Sequence, residues 1–116
     1  MPTLSKSPQV DINFVAAFNA KVEQFDPKAK VLLFGSRARR DHRYDSDYDL
    51  LIISEKFSRM PPNKRWMLVQ TRLKPAGFDV ALQPHCYTPT EWQQMRNQLL
   101  YAEVMRDGMD FKTLTK

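Results

Sequence analysis

The feature that most constrains the fold is an unbroken apolar run over residues 31–34, which Gly35 and Ser36 end abruptly. A short continuous apolar run between turn-forming residues predicts a strand that is buried on both faces. Because such a strand needs a layer of structure packed on each side, the run favours a sheet sandwiched between helices.

Helical and extended patterns alternate along the rest of the chain. The predicted elements are helices over 9–25, 61–74, from 88 onward and over 99–106, a short helical segment of one or two turns over 37–41, and strands over 31–34, 47–53 and 78–82. Pro84 is expected to end the third strand, Thr88 and Glu91 form a capping box, and Gly108 is placed to cap the last helix. The resulting order, α-β-α-β-α-β-α, predicts an α/β sandwich around a small sheet.

The length of 116 residues fits one domain. We predict a single domain over 10–111, between a flexible leader at 1–9 and a frayed end at 112–116. No stretch of the sequence approaches the 18 apolar residues of a membrane span, and no apolar signal segment begins the chain. We therefore expect no contact with a membrane and a cytoplasmic location.

Composition excludes several kinds of site. The three glycines are too far apart in the sequence to form a dinucleotide fingerprint or a P-loop. A bound nucleotide would therefore need another kind of binding site. A single cysteine and two histidines exclude a disulfide, a zinc site with several thiolates and a three-histidine metal site. The formal net charge of +5 allows an anionic partner such as a nucleotide or RNA, or serves solubility alone.

Three aspartates lie near the start of two predicted strands. Asp47 and Asp49 are two residues apart on one strand, so their side chains leave the same face of the sheet. Asp79 lies at the start of the third predicted strand, and if the two strands are neighbours the three carboxylates converge. Because like charges repel, such a cluster indicates a hard cation, Mg²⁺ or Mn²⁺. Two ions could clamp the reacting oxygens of a phosphoryl transfer.

The Gly35-Ser36 turn has the chemistry of a phosphate site. Glycine lets a phosphate approach the backbone closely, and the Ser36 hydroxyl adds a hydrogen-bond donor. Arg37 and Arg39 follow in the same segment and could pair with phosphate oxygens. Each piece alone is a weak signal, whereas the order of strand, Gly-Ser, Asp-x-Asp strand and a further acidic strand favours one functional site.

These motifs resemble a known family. Residues 33–39 (Leu-Phe-Gly-Ser-Arg-Ala-Arg) and 45–50 (Asp-Ser-Asp-Tyr-Asp-Leu), together with 87–92, look like the minimal nucleotidyltransferases of the DNA polymerase β superfamily. The resemblance covers roughly residues 10–108 and implies an α/β (α+β) fold with a small mixed sheet flanked by helices. One residue departs from the family pattern, since Arg40 stands where glycine is usual.

The resemblance also implies roles for the site residues. Asp47 and Asp49 match the metal-binding pair, and Asp79 matches the third carboxylate, which helps to activate the attacking hydroxyl. Gly35 and Ser36 match the phosphate-binding turn. The implied reaction is transfer of a nucleoside monophosphate from an NTP, with AMP from ATP expected, to a hydroxyl group. Two Mg²⁺ ions, or Mn²⁺, are the implied cofactors.

A chain this small has no separate domain for the acceptor, so the resemblance implies a partner and a hetero-oligomer. Minimal nucleotidyltransferases often act as antitoxins beside a HEPN-type ribonuclease toxin and attach AMP to a toxin tyrosine, while some relatives modify tRNA. We expect the toxin-antitoxin role, with RNA as the alternative acceptor. A non-catalytic copy of the fold that only binds its partner is the second hypothesis, and the retained acids and serine favour the enzyme.

The remaining distinctive residues have simpler explanations. Trp66 and Trp92 lie on apolar helix faces, which favours packing in the core over stacking on a base. Cys86 has His85 as its one adjacent basic residue, but a cysteine nucleophile also needs spatial contact with its base and a third orienting group. We therefore expect neither tryptophan to bind a ligand and the cysteine to take no part in catalysis.

Overall fold

The computed structural model describes residues 10–39 and 47–115. The helices are α1 (Ile12–Phe25), α2 (Ser36–Arg39), α3 (Pro62–Leu68), α4 (Pro89–Gln93) and α5 (Leu99–Asp107), and the strands are β1 (Lys30–Phe34), β2 (Tyr48–Ile53), β3 (Leu82–Tyr87) and β4 (Met109–Asp110). A π-helical stretch, Val69–Leu73, prolongs α3, and short 3-10 turns span Glu55–Phe57 and Phe111–Thr113. The predicted leader and Arg40 lie outside the described residues.

The four strands form one mixed sheet in the order β3-β2-β1-β4. Strand β1 pairs antiparallel with β2 and with β4, while β2 and β3 run parallel. The small mixed sheet flanked by helices is the predicted α/β fold class, which is thereby confirmed. In the register, Asp49 lies opposite Phe34 on one side and opposite Gln83 on the other. That register fixes the neighbours of the candidate site.

Helix α1 forms where the sequence pattern places it. Asp11 caps its first turn by accepting hydrogen bonds from the backbone N–H groups of Asn13 and Phe14. The inward face of the helix is fully buried at Phe14, Phe18 and Val22. These side chains belong to the larger of two core clusters and cover one face of the sheet.

The second core cluster covers the opposite face of the sheet. Its buried members come from both central strands and from α4 and α5: Phe34, Leu51, Ile53, Trp92 and Val104. Since Asp49, Leu51 and Ile53 alternate along β2, Asp49 points to this same face. The candidate acidic site therefore lies where the smaller core ends.

The third strand differs from the prediction. Strand β3 begins at Leu82 and runs through Pro84, whereas the sequence pattern placed it over 78–82 and ended it at the proline. Proline is tolerated here because β3 is an edge strand. At a position where the backbone N–H would face outward, there is no partner strand to accept its hydrogen bond, so the missing N–H of proline costs nothing. Phe78 and Val80 pack against the larger core without pairing in the sheet. The alternation of apolar and polar residues over this segment therefore has the pattern of a strand although no strand forms.

Two features near the end of the chain were not predicted. Strand β4 has only two residues, which are too few to leave a pattern. The 3-10 turn Phe111–Thr113 follows it, with Phe111 fully buried and Lys112 donating a hydrogen bond to the Ala29 carbonyl. No helix in the two described ranges is long and apolar enough to cross a membrane.

The two tryptophans divide between core and surface. Trp92 is 6% exposed and stacks on Tyr101 with ring centroids 4.8 Å apart, as expected for a core residue. Trp66 is 46% exposed, so the expectation that it packs in the core is wrong. The π-helical stretch that prolongs α3 buries Val69 and Leu73, while the indole of Trp66 on α3 stays at the surface.

Candidate active site

The acidic pair lies at the start of β2. Asp47 precedes the strand and is exposed, while Asp49 is its second residue and is half-buried. Burial raises the pKa of the Asp49 carboxyl, and the nearby carboxylates of Glu103 and Asp47 raise it further, while Arg39 acts in the opposite direction. The carboxylate of Asp49 therefore carries negative charge that the surrounding protein only partly balances.

Gly35 packs directly against this carboxylate. The glycine ends β1 with a φ of +75°, a left-handed conformation that L residues rarely adopt. A Cβ atom at this position would lie 3.1 Å from Cγ of Asp49 and closer still to its Oδ2. The predicted phosphate-binding turn and the predicted metal-binding pair are therefore adjacent in space, as the sequence interpretation requires.

The two arginines after the turn lie at different places. Arg37 lies over the ring of Tyr48, with its guanidinium carbon 4.2 Å from the ring centroid. Tyr48 is the strand neighbour of Asp49, so its side chain points to the opposite face of the sheet. Arg39, in contrast, is the cation that acts on the carboxylate of Asp49. Of the two predicted phosphate ligands, Arg39 is the one beside the acidic pair.

Helix α5 contributes acids that the sequence analysis missed. Asp107 accepts a hydrogen bond from Nη1 of Arg39 at 3.2 Å, and Oε2 of Glu103 lies 3.9 Å from the same atom. These contacts join residues more than sixty positions apart, so no local pattern could have indicated them. They tie α5 to the segment that follows the glycine-serine turn.

Asp79 does not lie on the strand that pairs with β2. It is exposed and precedes β3 by three residues, so the strand does not carry it to the acidic pair. Within residues 10–39 and 47–115, no group of three or more His, Cys, Asp or Glu side chains could hold a metal ion. The predicted convergence of three carboxylates is therefore not found. The neighbour of Asp49 on β3 is the exposed amide of Gln83.

The residues that are brought together fit one divalent cation. Asp47 and Asp49 offer carboxylate oxygens, which are the donors that Mg²⁺ and Mn²⁺ prefer. The pKa of Asp49 is raised by burial and by neighbouring negative charge. A bound cation would stabilise the charged form of the carboxylate against both effects. Ser36, which begins α2, is half-buried beside Gly35 and adds a hydroxyl group at this edge.

A second set of charges lies away from the acidic pair. Arg65 is buried and forms a bidentate ion pair with Glu91, with distances of 2.6 Å and 2.9 Å. Glu91 also completes the capping box with Thr88, as the sequence predicted. The hydrogen bonds from Arg65 lower the pKa of Glu91 to about 2. This pair fastens α3 to the start of α4.

The arrangement of sheet and helices matches a known fold. The chain aligns with the crystal structure of a protein assigned as a nucleotidyltransferase from Sulfolobus solfataricus, with a TM-score of 0.53 and 19% sequence identity. The alignment covers 85% of this chain and 79% of the other. At this identity the likeness shows a common fold. Among curated proteins, none matches the chain significantly.

The family model then gives the class of activity. A model described as the nucleotidyltransferase domain matches residues 15–103, which include the glycine-serine turn and all three predicted aspartates. The chain belongs to the nucleotidyltransferase domain family. Its general activity is accordingly nucleotidyl transfer, for which it would bind an NTP.

Proposed function

We propose that the chain is a metal-dependent nucleotidyltransferase that moves a nucleoside monophosphate, AMP from ATP, to a hydroxyl group of a partner. The observation that carries this proposal is the packing of Gly35 against the carboxylate of Asp49. A phosphate held at the glycine-serine turn would lie beside the acidic pair. Binding and chemistry would therefore occur at one edge of the sheet.

Each residue of this edge has a proposed role. Gly35 leaves room for the triphosphate, and the Ser36 hydroxyl donates a hydrogen bond to a phosphate oxygen. Arg39 adds positive charge near the same oxygens. Asp47 and Asp49 hold Mg²⁺ or Mn²⁺, which when bound neutralises charge on the reacting oxygens. Family membership supports the use of a divalent metal, and two ions remain the number that the sequence resemblance implies.

The reaction itself is a displacement at phosphorus. The acceptor hydroxyl loses its proton, its oxygen forms a bond to the α-phosphorus, and the bond to pyrophosphate breaks. The sequence resemblance assigns proton removal to Asp79, which is exposed and precedes β3. This role for Asp79 stays a prediction that a variant can test.

For the acceptor, we propose a tyrosine of a HEPN-type toxin, so that the chain acts as an antitoxin in a hetero-oligomer. The support is the sequence resemblance to minimal nucleotidyltransferases, in which another molecule presents the acceptor hydroxyl. RNA is the alternative acceptor. Binding to RNA would weaken steeply as salt rises, whereas an apolar protein interface would persist.

One observation favours a second candidate function. The residue beside Asp49 on β3 is Gln83, an uncharged amide, and Asp79 is not in the strand. A site with two carboxylates could bind a metal-nucleotide complex without transferring the nucleotide. The chain would then be a binding module that holds its partner without modifying it.

The decisive experiment combines the chain with α-³²P-labelled NTPs and with either a co-encoded helical protein or tRNA, with and without Mg²⁺. Transfer to either acceptor that needs Mg²⁺ and is lost in Asp49→Asn supports the enzyme. Glu23→Gln, an exposed acid on α1, is the matched control and should be unaffected. Nucleotide binding with no labelled acceptor would favour the binding module.

Two further variants separate the roles at the site. Ser36→Ala should weaken NTP binding by about 1–2 kcal/mol, the cost of one hydrogen bond to a charged group. Asp79→Asn tests the predicted base: a loss of transfer as deep as that in Asp49→Asn would show that Asp79 acts in the reaction. Full activity in Asp79→Asn would remove it from the site.

A further inference from the structure

A cleft of about 710 Å³ opens beside the edge strand β3, between α3 and the segment that contains α4. Its lining is mainly apolar and aromatic, with Trp66, Tyr87 and Met95 among its walls and His85 and Cys86 on the strand. Trp66 is one of the large hydrophobic residues that are exposed, and it faces solvent over almost half of its surface. This is the size and character of a ligand pocket.

The strand edge in this cleft is closed to another strand. The carbonyls of Leu82 and Cys86 accept hydrogen bonds from Gln70 and Arg65 respectively. Between them, Pro84 has no N–H to offer. A partner therefore cannot extend the sheet here by backbone pairing, and recognition must come from a group inserted into the cleft.

Among residues 10–39 and 47–115, Arg65 is the only guanidinium that lines the cleft, and it is already paired. Its Nε donates to the Met60 carbonyl, while both terminal nitrogens donate to Glu91. The described lining therefore offers a phosphate no unpaired cation. Burial lowers the pKa of His85, which disfavours a positive charge on its imidazole. Charge and shape together favour an uncharged ring.

We propose that this cleft is a docking pocket for an uncharged aromatic side chain of a protein partner, stacked on Trp66. The proposal requires only binding and does not depend on nucleotidyl transfer. The pocket is nevertheless close to the acidic pair, because His85 pairs with Leu51, two residues along β2 from Asp49. A partner anchored here would be held beside that edge of the sheet.

The test uses small probes on the full chain labelled with ¹³C at the methionine methyl groups. N-acetyl-tyrosine amide should shift the methyl signal of Met95, which lines the cleft, and leave that of Met105 on α5 unchanged. N-acetyl-phosphotyrosine amide should bind at least about tenfold more weakly, because its charge would enter the cleft without a counter-ion. N-acetyl-alanine amide should not bind.

Variants at the surface complete the test. Trp66→Ala should weaken binding of the tyrosine probe by about tenfold, and Trp66→Phe should retain most of it. Met67→Ala is the control, since Met67 is exposed on the same helix and does not line the cleft. Equal binding of the phosphorylated probe, tighter binding of adenosine than of the tyrosine probe, or full binding in Trp66→Ala would each overturn the proposal. Tighter binding of adenosine would assign the cleft to a nucleobase.

Discussion

Gly35 and Asp49 share a space that a single added carbon atom would overfill. Gly35 holds a φ of +75°, and a Cβ on it would meet the carboxylate of Asp49. Two effects therefore disfavour any other residue at position 35: the left-handed backbone conformation and the contact of a Cβ with the Asp49 carboxylate. Gly77 has a similar φ of +88°, but nothing lies within 4 Å of the corresponding Cβ. Gly77 therefore serves as a control, because a substitution there changes the backbone strain without adding a steric contact.

This pair leads to the first prediction. Gly77→Ala should destabilise the fold by about 1 kcal/mol, the cost of a left-handed conformation for an L residue. Gly35→Ala should cost at least about 1 kcal/mol more, because overpacking adds to the strain and moves the Asp49 side chain. Urea denaturation of both variants measures the difference, and calorimetry with Mg²⁺-ATP should show loss of binding in Gly35→Ala alone. Equal behaviour of the two variants would contradict the assigned contact.

The second prediction concerns metal and thermal stability. Asp49 is half-buried with Asp47 and Glu103 as acidic neighbours, so Asp49→Asn should raise the melting temperature without metal by about 1–4 °C. Mg²⁺ should raise the melting temperature of the unmodified chain through binding to the folded state, and should have no such effect on Asp49→Asn. Differential scanning calorimetry with and without Mg²⁺ measures both changes. A Mg²⁺ effect of the same size in Asp49→Asn would place the metal elsewhere.

The acidic pair could be predicted because side chains two apart on a strand share a face, whatever the rest of the fold does. Asp79 could not be placed in this way. The alternation of Phe78, Asp79 and Val80 is typical of a half-buried strand, yet the apolar pair packs on the core as an irregular segment. Only the pairing of β2 with β3, set by the whole sheet, decides that Gln83 lies beside Asp49.

The remaining differences also come from long-range packing. The acids of α5 reach Arg39 only because β1 and β4 bring the chain back to the sheet. Trp66 lies on a helix face that the local pattern indicates as apolar, but no element within the described part of the chain covers that part of the face. Periodicity predicts which side chains are suited to burial, and the tertiary structure decides which of them are buried.

The third prediction is a pH dependence that comes from the ion pair of Arg65 and Glu91. Because the pKa of Glu91 is lowered from 4.5 to about 2 in the folded chain, its contribution is complete above pH 4.5 and is lost as pH falls towards 2. The Glu91 side chain is 40% exposed, so solvent screening limits the contribution to about 1 kcal/mol. Glu91→Gln should therefore cost about 1 kcal/mol at pH 7 and almost nothing near pH 2.

Urea denaturation of the unmodified chain and of Glu91→Gln across this pH range measures the difference directly. The other carboxylates titrate in both proteins, so their effects cancel in the comparison. Glu23→Gln, an exposed acid on α1, should show no comparable change with pH. A difference between the unmodified chain and Glu91→Gln that stays constant from pH 7 to pH 2.5 would show that the ion pair does not stabilise the fold.

The fourth prediction concerns the thiol in the proposed docking pocket. Burial raises the pKa of Cys86 from 9.0 to about 12, although Arg65 acts in the opposite direction. Since the thiolate is the reactive form, its fraction at pH 8 should be about a thousandfold lower than that of an unfolded chain. Iodoacetamide should therefore modify the native chain far more slowly than the chain in urea, as mass spectrometry can follow. A native rate within tenfold of the unfolded rate would mean that the thiol is activated, and it would reopen Cys86 as a nucleophile. The slow rate expected here is that of a partly buried thiol on β3 that takes no part in chemistry.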